Sequence, residues 1–150
     1  MKRAAALLCL LFTAAGGCAT IGGMRQVVAT VGAPKAIGPY SQGIDSGSLV
    51  FVSGQIPLDP ATGQFVPGGI AEQTERALKN VEAILAKAGL TPAHVVRTTV
   101  FLIDLGEFAA MNEVYAEKFG AHRPARSTIE VAKLPGTGGR VEIECIALRR

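Results

Sequence analysis

Nine residues limit what this chain can fold into more than any others: Val95-Val-Arg-Thr-Thr-Val-Phe-Leu-Ile103. The run is rich in β-branched side chains and apolar on both faces, so it reads as a strand that must be covered from both sides. A helix can supply one cover. From Ile70 to Ala88, the residues Leu78, Val81, Leu85 and Ala88, with Ala77 and Ile84 beside them, form one apolar stripe at helical spacing. Glu72, Glu75, Arg76, Lys79 and Glu82 occupy most of the opposite side. Gly89 then gives a C-cap signal, and Pro92 prevents the helix continuing. Phe108, Met111, Tyr115 and Phe119 define a second helix, ended by Gly120.

The remaining elements are strands. Gln26–Val31 is a β-branched run, and Ser41–Asp45 with Leu49–Ser53 reads as a hairpin across a Ser-Gly turn. Arg123–Pro135 opens on a fifth strand, and Val141–Leu148 alternates apolar and polar residues. The order is β-β-β-α-β-α-β-β, without internal repeat, in a chain of one-domain length. Two helices cover one sheet face only. Because Val95–Ile103 and Val141–Leu148 also carry apolar residues on the other, that face is expected to be buried against further subunits.

The start of the chain reads as a processing segment. Lys2-Arg3 is a short positive region, Ala4 to Ala15 is an apolar run too short to span a bilayer, and Gly16-Gly17-Cys18 follows. The expectation is a signal peptide or lipobox over residues 1–18, Cys18 as the lipidated residue, a short tether over 19–25 and the folded domain over 26–150. That implies an exported, periplasmic protein touching a membrane only through a lipid anchor. Ala15, where Leu is usual, makes the lipobox imperfect. Without Lys2 and Arg3, 13 basic residues face 12 acidic ones, so the domain lacks the electrostatic footprint of a nucleic-acid binder. Cys145 is then the domain's one cysteine, which excludes a disulfide framework or a zinc set and reads as buried and inert.

Positioned charge concentrates in the last quarter. Arg126, after Arg123-Pro124, offers a planar fork able to hold a carboxylate bidentately, and it can equally pair with a structural Glu or cap a neighbouring turn. Glu142 and Glu144 share one strand face with Ile146 and Leu148. This is either a polar stripe or a carboxylate in a partly apolar interface, where its pKa rises and acid–base work becomes available. Tyr40, in the turn Gly38-Pro39-Tyr40-Ser41, is either a pocket wall or a packing aromatic. Asn112 sits beside Met111 on the second helix. His94 and His122 lack metal-ligand neighbours, and Gly136-Thr-Gly138-Gly139 lacks the spacing and following helix of a phosphate loop.

Several motifs, taken together and in order, resemble the Rid family, the YjgF-type imine/enamine deaminases. They are Ala33-Pro34-Lys-Ala-Ile37-Gly38-Pro39-Tyr40-Ser41-Gln42-Gly43, Ser53-Gly54-Gln55-Ile56-Pro57, Val81 to Gly89, Thr99-Val100-Phe101-Leu102, Arg123-Pro124-Ala125-Arg126-Ser127 and Val141-Glu142-Ile143-Glu144. The resemblance runs from about Val27 to Arg150. It implies an α+β, chorismate-mutase-like fold, with a six-stranded mixed sheet, two helices on one face and a homotrimer with sites at the subunit clefts. It further implies that Arg126 binds a substrate carboxylate, that Glu142 positions the attacking water, and that Tyr40, Ser53, Gly54 and Asn112 line the pocket. Thr128 stands where many relatives have Cys, and the resemblance implies that the backbone there contributes the polar contacts. The implied reaction is hydrolysis of small 2-imino acids to 2-keto acids and ammonia, with no metal or cofactor. The competing implication is a non-catalytic ligand-binding or holdase-type trimer.

Overall fold

The computed structural model describes residues 25–149. The expected leader 1–18, with Cys18, and all of the tether except Arg25 lie outside those residues. Among the described residues no helix is long and apolar enough to cross a membrane.

Six strands, β1 (Gln26–Val28), β2 (Gly43–Asp45), β3 (Leu49–Gln55), β4 (Val95–Leu102), β5 (Ala125–Glu130) and β6 (Val141–Leu148), make one sheet ordered β1-β2-β3-β6-β4-β5. All pairs are antiparallel except β4–β5. A parallel pair needs a crossover, and α2 (Phe108–Phe119) supplies it. The other helix, α1 (Ile70–Lys87), precedes β4. The element order and both helices are those read from the sequence.

The core lies between helices and sheet. The α1 stripe is buried at Ala77, Leu78, Val81, Ile84 and Leu85, and α2 adds Met111, Tyr115 and Phe119. They meet the inward positions of β6, namely Val141, Ile143, Cys145 and Ala147, and of β4, Val100 and Leu102. Gly89, at φ 76°, turns the chain out of α1 in a conformation a side chain would disfavour.

Two irregularities set which side chains face where. Between Val52 and Gln55, β3 advances three residues while β6 advances two, so Ser53-Gly54 forms a bulge. Between Val95 and Arg97, β4 gains a residue on β6, leaving Val96 43% exposed. The sequence expectation that β4 is apolar on both faces is thereby corrected. The bulge shifts the alternation, and the helix-free face of β4 presents Arg97, Thr99 and Phe101 rather than a continuous apolar row. That sheet face is mixed, with Phe51, Ile129 and Leu148 exposed among Glu142 and Glu144.

Cys145 is 3% exposed, and burial, followed by the nearby Glu144 charge, pushes its thiol up to about 12. In the native protein it should resist alkylation near neutral pH and become reactive only on unfolding. Mass spectrometry of the Cys145 peptide after labelling with and without urea measures this; equal labelling in both would contradict the burial.

Candidate functional site

The residues singled out from sequence separate into two cavities on opposite faces of the sheet. In the parallel register Arg126 lies beside Thr98 and Thr128 beside Val100, both positions of the helix-covered face. There Arg126, Asn112 and Tyr115 line a cavity of about 390 Å³ between α2 and the start of β5. On the helix-free face Glu142 and Glu144 join Tyr40, Ser53 and Gly54 around a second cavity of about 500 Å³. Adjacent strands lie about 4.8 Å apart, and β4 separates β5 from β6. Arg126 and Glu142 of one chain therefore cannot grip the same small molecule through the sheet.

Arg126 is held by aromatic faces rather than by acid. Its guanidinium carbon lies 4.5 Å from the Tyr115 ring centroid and 5.6 Å from that of Phe108. Tyr115 is fixed in turn, because its hydroxyl shares a 2.7 Å hydrogen bond with the Thr98 hydroxyl inside the core. Burial raises the Tyr115 pKa, so the phenol stays protonated and its ring stays a good face for a cation. None of the salt bridges among the described residues involves Arg126. Among the described residues no carboxylate pairs with its fork, and the rings orient it, as capture of a carboxylate requires.

Glu142 is shaped by what surrounds it. Its pKa is raised, first by burial and then by the like charge of Glu144. The bulge in β3 lays Gly54 directly against its carboxylate, where any Cβ would overlap Glu142 Oε1. Gly54→Ala is accordingly expected to displace the carboxylate while leaving the fold intact. Imine hydrolysis should fall on the order of tenfold to a hundredfold, as a small misplacement of a reacting group does. Parallel kcat/KM and thermal-melt measurements test this; unchanged activity would contradict the packing account.

The walls of the Glu142 cavity are tied to α1 by buried amides. Asn80 Nδ2 donates to the Ile56 and Leu58 carbonyls at 3.1 and 3.0 Å. Gln73 Nε2 donates to the Gly138 carbonyl at 2.9 Å, and Gln73 Oε1 accepts from the Arg140 backbone at 2.8 Å. Ile56 and Pro135 of these anchored segments line the cavity. On the other side Gln42 Nε2 donates to the carbonyls of Thr30, Ala33 and Pro34, holding the irregular run that leads to Tyr40. Ser53 Oγ donates to the Ser41 carbonyl at 2.6 Å. Thr128 is half-buried, and its hydroxyl has no hydrogen-bond partner among the described residues.

Sequence reasoning missed the supporting residues. The sequence marks Tyr115 only as one of four residues defining the second helix, although a buried Tyr needs a partner for its hydroxyl, which Thr98 on β4 supplies. Gln73 and Asn80 on the inward side of α1 were a further readable signal, since buried amides must be satisfied. Among the described residues no group of three or more His, Cys, Asp or Glu side chains could hold a metal ion.

Residues 30–149 match the family described as Endoribonuclease L-PSP. The chain is 50% identical over 126 residues to a RutC family protein of Pyrococcus horikoshii, covering 84% of this chain and 99% of the relative. The chain belongs to the Rid family. Among its relatives is the mouse protein named 2-iminobutanoate/2-iminopropanoate deaminase, 48% identical over 84% of this chain and 93% of its own length. The crystal structure of the E. coli YjgF gene product superposes with a TM-score of 0.79 at 48% identity, covering 83% of this chain and 99% of that one. E. coli TdcF with bound serine gives 0.79 at 46% identity, covering 83% and 99%. The Rid fold expected from the sequence, a six-stranded mixed sheet with two helices on one face, is the one observed.

The comparisons correct one expectation. Relatives 46–52% identical are matched over 91–99% of their own length by 83–85% of this chain. Membership of the Rid family thus accounts for the domain alone and brings no signal peptide, lipid anchor or periplasmic placement with it. The signal-peptide, lipoprotein and periplasmic reading, with Cys18 as lipid carrier, is withdrawn: it drew on Lys2-Arg3, the apolar run and Gly16-Gly17-Cys18 alone, and none of these relatives supports it.

Proposed function

We propose that this Rid protein is a hydrolytic deaminase of small 2-imino acids and their enamine tautomers, producing a 2-keto acid and ammonia. The observation that carries the reading is the unpaired guanidinium of Arg126, stacked on Tyr115 and open to a cavity. In this scheme Arg126 binds the substrate carboxylate, and Asn112 and the backbone at Thr128 complete that side. Glu142 orients a water toward the imine carbon, between walls formed by Tyr40, Ser53 and Gly54. The water oxygen adds to the carbon, the C–N bond breaks, and Glu142 relays protons to the departing ammonia. Binding the two ends of the substrate holds the imine carbon in one attack geometry.

Because the two cavities lie on opposite sheet faces, one substrate can meet both only if different copies of the chain supply them. A homotrimer with three such clefts satisfies this and covers Phe51, Ile129 and Leu148 on the mixed sheet face. The named activity of the mouse relative and the serine bound to TdcF both support an amino-acid-like ligand. A binding-only trimer would also use Arg126, but the raised pKa of Glu142 favours chemistry over storage.

The test generates 2-iminopropionate in situ and follows its loss with and without purified protein. Acceleration over buffer is expected. A rate equal to buffer would overturn the deaminase reading and leave the binding module.

A further inference from the structure

The helix-side cavity carries more positive charge than one carboxylate requires. Two guanidiniums, Arg123 and Arg126, belong to its lining, which contains no acidic residue. None of the salt bridges among the described residues involves either of them. Elsewhere in the chain Arg140 pairs with Glu107 at 2.5 Å and Arg149 with Asp45 at 2.6 Å, while Arg25, Arg76 and Arg97 also enter no salt bridge among the described residues. The opposite cavity shows the reverse balance, with Glu142 and Glu144 and neither Lys nor Arg in its lining. Within one copy charge is thus segregated by cavity; where Glu142 of another copy faces Arg126, Arg123 remains on the helix side as a second cation able to receive a second negative group.

The arrangement has depth as well as charge. Arg126 is half-buried and held on aromatic rings, whereas Arg123 is exposed. Between them Pro124 fixes its own φ and restricts Arg123, so the two cations ride on a stiff segment. At about 30 Å³ of liquid volume per water, the roughly 390 Å³ cavity holds about a dozen waters. A three-carbon imino acid on Arg126 leaves much of that space, and Arg123, unfilled.

We infer that Arg123 binds a second, side-chain carboxylate, so that the preferred substrates are 2-imino dicarboxylic acids. Reactions that remove a hydride from the α-carbon of acidic amino acids would supply them. This inference rests on the deaminase reading and adds the substrate class to it. The chemical step is unchanged: water adds to the imine carbon, the C–N bond breaks, and the products are a 2-keto dicarboxylic acid and ammonia.

The test compares kcat/KM for 2-iminoglutarate and 2-iminopropionate, each generated in situ, for wild type, Arg123→Gln and Arg123→Lys, with the oligomeric state measured by light scattering. Wild type should favour the dicarboxylate. Arg123→Gln should lower the dicarboxylate-to-monocarboxylate ratio about tenfold, mainly through KM, as loss of one charge-assisted hydrogen bond does. Arg123→Lys should retain part of the preference, and the assembly should not change. An unaltered ratio overturns the inference while leaving the deaminase reading intact. So does a joint loss on both substrates with altered assembly, which would make Arg123 an intersubunit contact. If wild type hydrolyses neither imine, both the inference and the deaminase reading fail.

Discussion

Arg126→Ala is expected to lower kcat/KM for 2-iminopropionate by about a hundredfold or more while lowering thermal stability only modestly. The two halves of this expectation have one origin. Arg126 enters none of the salt bridges among the described residues, so removing it orphans no buried carboxylate. What the fold loses is its stacking on Tyr115 and Phe108, worth about 0.5–2 kcal/mol. What the substrate loses is its charged, bidentate anchor, and truncating one side of such a pair costs about 2–5 kcal/mol. Lysine should not rescue the activity, because an ammonium neither forks onto a carboxylate nor lies flat on a ring. A structural arginine would give the opposite pattern, a large fall in melting temperature with residual activity that tracks the folded fraction. Kinetics and melting measured on the same preparations separate the two.

Glu142→Gln should cost on the order of 10²- to 10⁴-fold in kcat, the usual contribution of a positioned general acid–base. Its pH behaviour is the sharper signature. The working form is the carboxylate, and its pKa is raised by burial first and by Glu144 second. The acidic limb of the kcat/KM profile should therefore lie above the ordinary glutamate value. Glu144→Gln removes the like charge and should move that limb toward lower pH. Stability follows from the same shift. A carboxyl with a raised folded pKa stabilises the fold fully below its unfolded pKa, and this contribution is lost as pH rises through the folded value. Glu142→Gln abolishes that loss, so the variant should gain stability relative to wild type between acidic and neutral pH. Urea unfolding at both ends of the window measures it; a wild type that stabilises relative to the variant as pH rises would contradict the assignment.

How much of this was legible in the sequence depended on whether a signal was periodic or positional. The α1 stripe and the alternation Val141, Ile143, Cys145, Ala147 fixed the elements because burial obeys simple periods. That the side chains of Glu142 and Glu144 share a face followed from the same rule. The bulges did not follow, since one extra residue in β3 or β4 leaves no periodic trace, and the bulge in β3 is what sets Gly54 against Glu142. In sequence Arg126 and Glu142 simply share the charged last quarter of the chain. Only the β4–β5 and β4–β6 registers place them on opposite faces, and pairing register is a tertiary property. Tyr115 was visible as an apolar residue, but its role under Arg126 depends on Thr98, seventeen positions away.

The most direct measurement mixes subunits. Arg126→Ala and Glu142→Gln are each prepared as homo-oligomers, then unfolded together and reassembled. If a site takes its guanidinium from one copy and its carboxylate from another, random mixing rebuilds about one site in four, and about a quarter of wild-type imine hydrolysis should return. Mixed oligomers no more active than their two parents would mean that Arg126 and Glu142 do not act on one substrate across copies, and the account of the site would be wrong.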